Sequence, residues 1–75
     1  MSSFIEVEEI IKTLNSENLT EYAKDVDEAL RGGSTGSEIW GGVRFSLSKI
    51  PPELLSTTAK GKINALIKAI DNIPH

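Results

Sequence analysis

Three acidic residues have the type and spacing that best support a function. Glu21, Asp25 and Glu28 lie on the polar face of a predicted helix, which also carries Lys24, Asp27 and Arg31. A row of carboxylates attracts positively charged molecules and speeds their association. We therefore predict that these three residues bind a basic protein.

The two halves of the chain differ in charge. Residues 1–30 have a net charge of −6 and residues 31–75 have a net charge of +3, which together give the −3 of the whole chain. Attraction between the two halves within the fold is the simpler explanation, because surface charge alone is weak evidence of function. An acidic surface directed at a basic partner is the alternative with a functional consequence.

Groups for catalysis or for holding a cofactor are scarce. The sequence has no cysteine, and its one histidine, His75, is the last residue. Acidic residues such as Glu8 and Glu9 are adjacent, but neighbouring positions on a helix point about 100° apart. No loop has the spacing of a calcium site. We predict that the chain is not an enzyme and binds no metal and no cofactor.

Residues 31–50 contain the only tryptophan and five of the six glycines. Free amides at residues 32–37 could hold an anion, but the P-loop lysine is missing, Glu38 would repel a phosphate, and no strand precedes the segment. We interpret the segment as the end of one helix and the start of the next. Gly32 and Gly33 are expected to end the second helix in a left-handed conformation, and Thr35 with Glu38 forms a capping box.

Apolar residues recur at helical spacing in four segments. They predict an all-α fold, a small antiparallel four-helix bundle formed by a single domain of residues 1–75, with a break in the last helix as an open alternative near residues 56–58. Helix one is predicted to start with a Ser3–Glu6 capping box, and helix two to span residues 19–31 after a cap at Asn18. The predicted core is Phe4, Val7, Ile10, Ile11, Leu14, Leu19, Tyr22, Val26, Leu30, Ile39, Trp40, Val43, Leu47, Ile50, Leu55, Ile63, Leu66, Ile67 and Ile70.

The third segment has two competing interpretations. Residues 43–48 alternate between apolar and polar as a strand would, and Gly41 and Gly42 could form a hairpin turn. An isolated hairpin is only marginally stable, and no other segment resembles a strand. We therefore predict a helix, ended by the prolines at 51 and 52. Its glycines would then allow either a kink or the close approach of another backbone to a flat strip formed by Gly42 and Ser46.

Phe45 points away from the apolar stripe of this helix, so a monomeric core does not explain it. One hypothesis is an exposed binding residue, since aromatic side chains are enriched at the energetic centres of interfaces. Another is a homodimer in which Phe45 contacts a second copy beside the Gly42 and Ser46 strip. The chain would then be a homo-oligomeric structural module.

Nucleic-acid binding is a second alternative, through a helix-turn-helix arrangement of the second and third helices. The third helix offers only Arg44 and Lys49 as basic residues, and the second helix is strongly acidic, so the basic footprint of such proteins is missing. No apolar run approaches the ~20 residues of a membrane span. The acidic first residues lack the basic region of a signal peptide, and we expect a cytoplasmic protein without membrane contact.

In length, number of predicted helices and acidic charge, the chain is similar to the immunity proteins of the nuclease colicins. Their acidic motif with paired tyrosines on a short helix is absent, since Tyr22 is the only tyrosine, and no residue role is carried over. The similarity is one of general class. It implies a small acidic helical protein-binding module of the bacterial immunity or antitoxin type, which would cover a basic toxin with its first and second helices.

Overall fold

A computed structural model describes residues 4–73 of the chain. The helices are α1 (Phe4–Ser16), α2 (Thr20–Gly32), α3 (Gly36–Ser48) and α4 (Thr57–Asp71), with a short 3-10 helix (Pro52–Leu54) between the last two. Each helix packs against its neighbours in sequence, and α4 also packs against α1. The four helices therefore form a closed ring around one core, which confirms the predicted all-α bundle. None of the helices within residues 4–73 is long and apolar enough to cross a membrane.

Aliphatic side chains from all four helices form the core. Most of the predicted core residues are buried or packed against its edge. The prediction that Phe4 belongs to the core is wrong, because its side chain is 40% exposed. Its ring instead stacks on Trp40, with the ring centroids 5.0 Å apart. Two small residues, Ala23 and Ala59, are buried although the predicted core omitted them. The buried apolar residues are Val7, Ile10, Leu14, Ala23, Val26, Leu30, Val43, Leu47, Ile50, Ala59, Ile63, Leu66 and Ile70.

The third segment is a helix, as predicted. Gly42 allows this helix to pack closely against α2. A Cβ atom added to Gly42 would lie 3.3 Å from the Cβ atom of Ala29. One turn further on, Ser46 is buried and its Oγ donates to the main-chain oxygen of Asp25 at 3.5 Å. The backbone that approaches the Gly42 and Ser46 strip therefore belongs to α2 of the same chain. Of the three residues predicted to contact a second copy, Phe45 is exposed, Gly42 is partly exposed and Ser46 is buried.

Gly41 differs from its neighbour, because a Cβ atom at this position would meet no atom within 4 Å. Replacing Gly41 by alanine should therefore raise the free energy of unfolding by about 0.5–1 kcal/mol, since alanine loses less backbone entropy in a helix. Chemical denaturation followed by circular dichroism measures this change. A loss of stability would mean that the glycine pair serves some purpose beyond the close approach at Gly42.

The connection between α1 and α2 corrects the predicted role of Asn18. Asn18 has a positive φ of 65°, and it ends α1 instead of capping α2. The main-chain N–H of Asn18 donates to Asn15 O at 3.2 Å, and the main-chain N–H of Leu19 donates to Leu14 O at 2.8 Å. These are the two hydrogen bonds of a Schellman motif. Asparagine tolerates this left-handed conformation better than most residues. The predicted start of α1 at Ser3 lies outside the described residues.

The connection between α2 and α3 contains another correction. Gly33 is extended, with φ −81° and ψ 149°, and no described glycine has a positive φ. A Cβ atom on Gly33 would lie 2.6 Å from Ile39 Cγ1 and 2.9 Å from Ile39 N, so glycine is required here by crowding. The first bond of the predicted capping box of α3 is confirmed, since Glu38 N donates to Thr35 Oγ1 at 3.2 Å. The carboxylate of Glu38 accepts from the amide of Ser34 at 3.0 Å.

The break predicted near residues 56–58 lies just before α4. Pro52 opens the 3-10 helix, and α4 begins after Ser56, whose Oγ accepts from the amide of Ala59 at 3.1 Å. The same hydroxyl donates to Glu17 Oε2 at 2.6 Å, and the amide of Ser56 donates to Glu17 Oε1 at 3.3 Å. These bonds join the residue after α1 to the cap of α4.

Candidate functional site

The four predicted binding residues lie on two neighbouring helices. Glu21 and Glu28 are exposed on α2 and Asp25 lies between them, partly exposed. Phe45 lies on α3 and is 64% exposed. The two helices are in contact here, where Ser46 Oγ lies 3.5 Å from the main-chain oxygen of Asp25. We call these four residues, together with Lys49, the α2/α3 surface.

Lys49 connects Asp25 to Phe45. Its Nζ lies 3.9 Å from Asp25 Oδ2 and 5.1 Å from the centroid of the Phe45 ring. The ammonium group is therefore attracted both by a carboxylate and by the face of an aromatic ring. Sequence reasoning did not include Lys49 in the site. Its position four residues after Phe45 would have placed the two on one helix face, but its proximity to Asp25 depends on how α2 packs on α3.

Phe45 differs from the other large apolar residues that are exposed. Ile5 is 62% exposed and Leu54 is 48% exposed, and neither has an aromatic ring that could attract a cation. Phe4 is aromatic, but its ring is stacked on Trp40. Phe45 thus combines a largely exposed ring with a cation above it and a carboxylate beside that cation.

Most of the acidic charge of the α2/α3 surface is not neutralised within the fold. Among residues 4–73, Glu21 and Glu28 have no ion-pair partner, while Asp25 has only the long contact to Lys49. The expected attraction between the two halves of the chain is present in this contact and in the pair between Arg31 and Asp27 at 2.8 Å. These two contacts leave Glu21 and Glu28 exposed on α2.

Arg44, one of the two basic residues of the third helical segment, is engaged elsewhere. Its guanidinium donates to Asp71 through Nε at 2.6 Å and Nη2 at 3.1 Å, which ties α3 to α4. The hydrogen bond, followed by the attraction of the carboxylate, raises the pKa of Arg44 above its ordinary value. The three residues between α2 and α3 suit the turn of a helix-turn-helix. However, an α3 whose arginine is paired with a carboxylate offers little to a phosphate backbone.

One surface groove among residues 4–73 was the candidate for a catalytic arrangement. This groove of about 440 Å³ is open to solvent and is lined by Phe4, Glu8, Leu30, Arg31 and Ile39. A nucleophile beside a base is absent from this set, although acyl or phosphoryl transfer would require one. Within the described part of the chain, no three His, Cys, Asp or Glu residues lie close enough to hold a metal ion.

Comparison with known proteins adds no functional information. No protein-family model, no curated protein and no solved structure matches the chain. The similarity to nuclease-colicin immunity proteins in size and charge is thus not accompanied by a match in sequence or fold. Function is inferred from the α2/α3 surface itself.

Proposed function

We propose that this chain is a small protein-binding module that holds a basic protein on its α2/α3 surface. The observation that carries the proposal is Phe45, which is 64% exposed next to the acidic face of α2. Energetically important interface residues are often aromatic anchors surrounded by polar groups. In this arrangement Phe45 supplies apolar contact, and the carboxylates of α2 attract and orient the partner.

The centre of this surface differs from the one expected from the sequence, where the first and second helices were to cover the partner. Of the three acidic residues, Asp25 reaches the end of α3, since Lys49 Nζ lies 3.9 Å from its Oδ2. On α1, Glu8 lines a different groove, together with Asp27 and Arg31. We therefore assign the contact to α2 and α3 and give α1 a supporting role in the core.

The specific form of the proposal is an immunity or antitoxin protein that acts in the cytoplasm and covers a basic toxin. Small size and a net charge of −3 support it, because a rigid acidic domain can associate rapidly with a basic partner. The lack of cysteine suits a reducing compartment. A protein of this type acts by covering its target and needs no catalytic group of its own.

Reversing one charge on the α2/α3 surface should slow association with the partner. The Glu28→Lys variant is expected to reduce the association rate constant by about tenfold at low salt, and to flatten its dependence on salt, because it weakens the attraction that guides encounter. Stopped-flow mixing with the purified partner measures both quantities. Glu53→Lys is the matched control, because it makes the same change of charge at an exposed residue in the 3-10 helix. Equal rates for the two variants would contradict the proposal.

The partner is first obtained by affinity capture from a lysate of the host organism on the immobilised chain. We expect one basic protein whose capture is lost with Phe45→Asp and retained with Glu53→Lys. Two results would instead support the alternatives. Sedimentation as a dimer that Phe45→Asp dissociates would indicate self-association, and a duplex-DNA complex that weakens steeply with salt would indicate a nucleic-acid-binding regulator.

A further inference from the structure

The ammonium group of Lys49 occupies a position that suits a positively charged side chain of a partner. It lies above the exposed ring of Phe45, 5.1 Å from the centroid, and 3.9 Å from an oxygen of Asp25. An aromatic face together with a carboxylate is a combination that attracts cations. Lys49 thus holds a positive charge between an aromatic face and a carboxylate.

Lys49 interacts only weakly with Asp25 at this position. At 3.9 Å its Nζ is too far from Asp25 to form a hydrogen bond, and no described residue donates a hydrogen bond to the side-chain oxygens of Asp25. The side chains of Lys49 and Asp25 are 49% and 45% exposed, so solvent weakens their attraction. The long flexible stem of lysine also allows its ammonium to move away at little cost.

We propose that Phe45 and Asp25 form a guanidinium-binding site, in which Lys49 is the resting occupant and an arginine of the partner replaces it. This proposal rests on the proposed function and specifies the chemistry of the partner. A guanidinium is planar, so it can stack on the Phe45 ring while it donates two parallel hydrogen bonds to the Asp25 carboxylate. A lysine ammonium lies above the ring without stacking on it and cannot donate two parallel hydrogen bonds, which makes arginine the preferred occupant.

The neighbouring charges favour the same exchange. Glu21 and Glu28 flank Asp25 at helical spacing, and within residues 4–73 neither has an ion-pair partner. They attract an incoming cation, and they also accommodate the displaced ammonium of Lys49, which remains near acidic groups. The exchange therefore leaves no charge buried and unpaired.

The test uses a blocked tetra-arginine peptide titrated into the full chain, with binding followed by nuclear magnetic resonance. Lys49→Gln removes the resting occupant and should tighten binding by about two- to fivefold, the effect of releasing one exposed cation–π contact. Lys60→Gln is the matched control, because it makes the same change of charge at an exposed residue in the first turn of α4. It should change the dissociation constant by less than about twofold, since distant surface charges are screened.

Two further comparisons separate this site from general attraction to an acidic protein. The ring proton signals of Phe45 should shift on titration, and tetra-arginine should bind more tightly than tetra-lysine. In a Phe45→Leu background the advantage of Lys49→Gln over Lys60→Gln should disappear. Equal affinities for the two glutamine variants, or equal affinities for the two peptides, would overturn the proposal.

These outcomes are distinguishable from failure of the proposed function. In one outcome the chain binds tetra-arginine no more tightly than tetra-lysine, while Glu28→Lys still slows association with the captured partner. That result would support the binding surface and contradict the guanidinium site. If the peptide results hold but Glu28→Lys and Glu53→Lys associate equally fast, the site exists without the proposed acidic steering.

Discussion

Replacing Leu47 by alanine should leave much of the protein unfolded in the absence of denaturant. Leu47 is 2% exposed in the core, and removing a buried leucine side chain costs about 2–5 kcal/mol. A helical domain of this size has a total stability of only about 3–5 kcal/mol. The loss is thus comparable to the whole free energy of unfolding. Circular dichroism at 222 nm during denaturation with urea measures it.

The matched control is the same substitution at a residue that lies outside the core. Leu54 in the 3-10 helix is 48% exposed, so Leu54→Ala should cost about 1 kcal/mol or less. A similar small loss for Leu47→Ala would mean that α3 does not deliver this side chain to the core. The pair of variants therefore tests directly whether Leu47 is buried.

Replacing Gly33 by alanine should destabilise the protein by about 1–3 kcal/mol, the usual cost of forcing extra atoms into a packed site. The new Cβ atom would lie 2.6 Å from Ile39 Cγ1 and 2.9 Å from the main-chain nitrogen of Ile39. The side chain can rotate away, but the nitrogen belongs to the first turn of α3. The connection between α2 and α3 must therefore move. Urea denaturation of Gly33→Ala against the unmodified chain measures the loss.

Gly32→Ala is the control for this effect. A Cβ atom at Gly32 would meet nothing within 4 Å, and the residue is the last of α2, so alanine should be neutral or stabilising by up to about 1 kcal/mol. The dihedral angles of Gly33 are accessible to alanine, so the difference between the two variants reports crowding alone. In an Ile39→Ala background the cost of Gly33→Ala should be smaller but not zero, because the main-chain contact remains. Equal stability of Gly32→Ala and Gly33→Ala would show that the close approach does not exist in solution.

Helical periodicity was sufficient to predict the fold class. Val43, Leu47 and Ile50 recur on one face at helical spacing. The local alternation that would suit a strand was rejected because an isolated hairpin is marginally stable and no other segment could pair with it. A side chain that must be buried imposes a regular spacing on the sequence, and that spacing is readable without any knowledge of neighbouring helices. Phe4 is the exception among the predicted core residues. Phe4 is the first residue of α1, and its ring stacks on Trp40 while remaining partly exposed.

Helix ends were harder to predict, because the same residue types serve both ends. Asn18 can cap the start of a helix through its side chain or end one by adopting a positive φ, and the sequence does not distinguish these two roles. Gly33 was predicted to be left-handed, whereas it is extended and required for another reason. That reason is contact with Ile39, six residues later, which only the folded geometry reveals.

The candidate site was predictable in its parts but not as a unit. The spacing of Glu21, Asp25 and Glu28 indicated an acidic face, and the position of Phe45 off the apolar stripe indicated exposure. The sequence gives no sign that Asp25 and Phe45 share a cation, because Lys49 reaches both only when α3 packs on α2. Contacts between side chains on different helices depend on the packing of those helices, which periodicity alone does not determine.

The closed ring of helices has a consequence for how the chain folds. Three of its main contacts join helices that are consecutive in sequence, and the contact between α1 and α4 joins the two most distant helices. Hydrogen bonds between Glu17 and Ser56, 39 residues apart, lie on that side of the ring. Closing so long a loop costs more chain entropy than pairing neighbouring helices. We therefore expect rapid zippering of successive helix pairs, with docking of α4 onto α1 as the slow kinetic step.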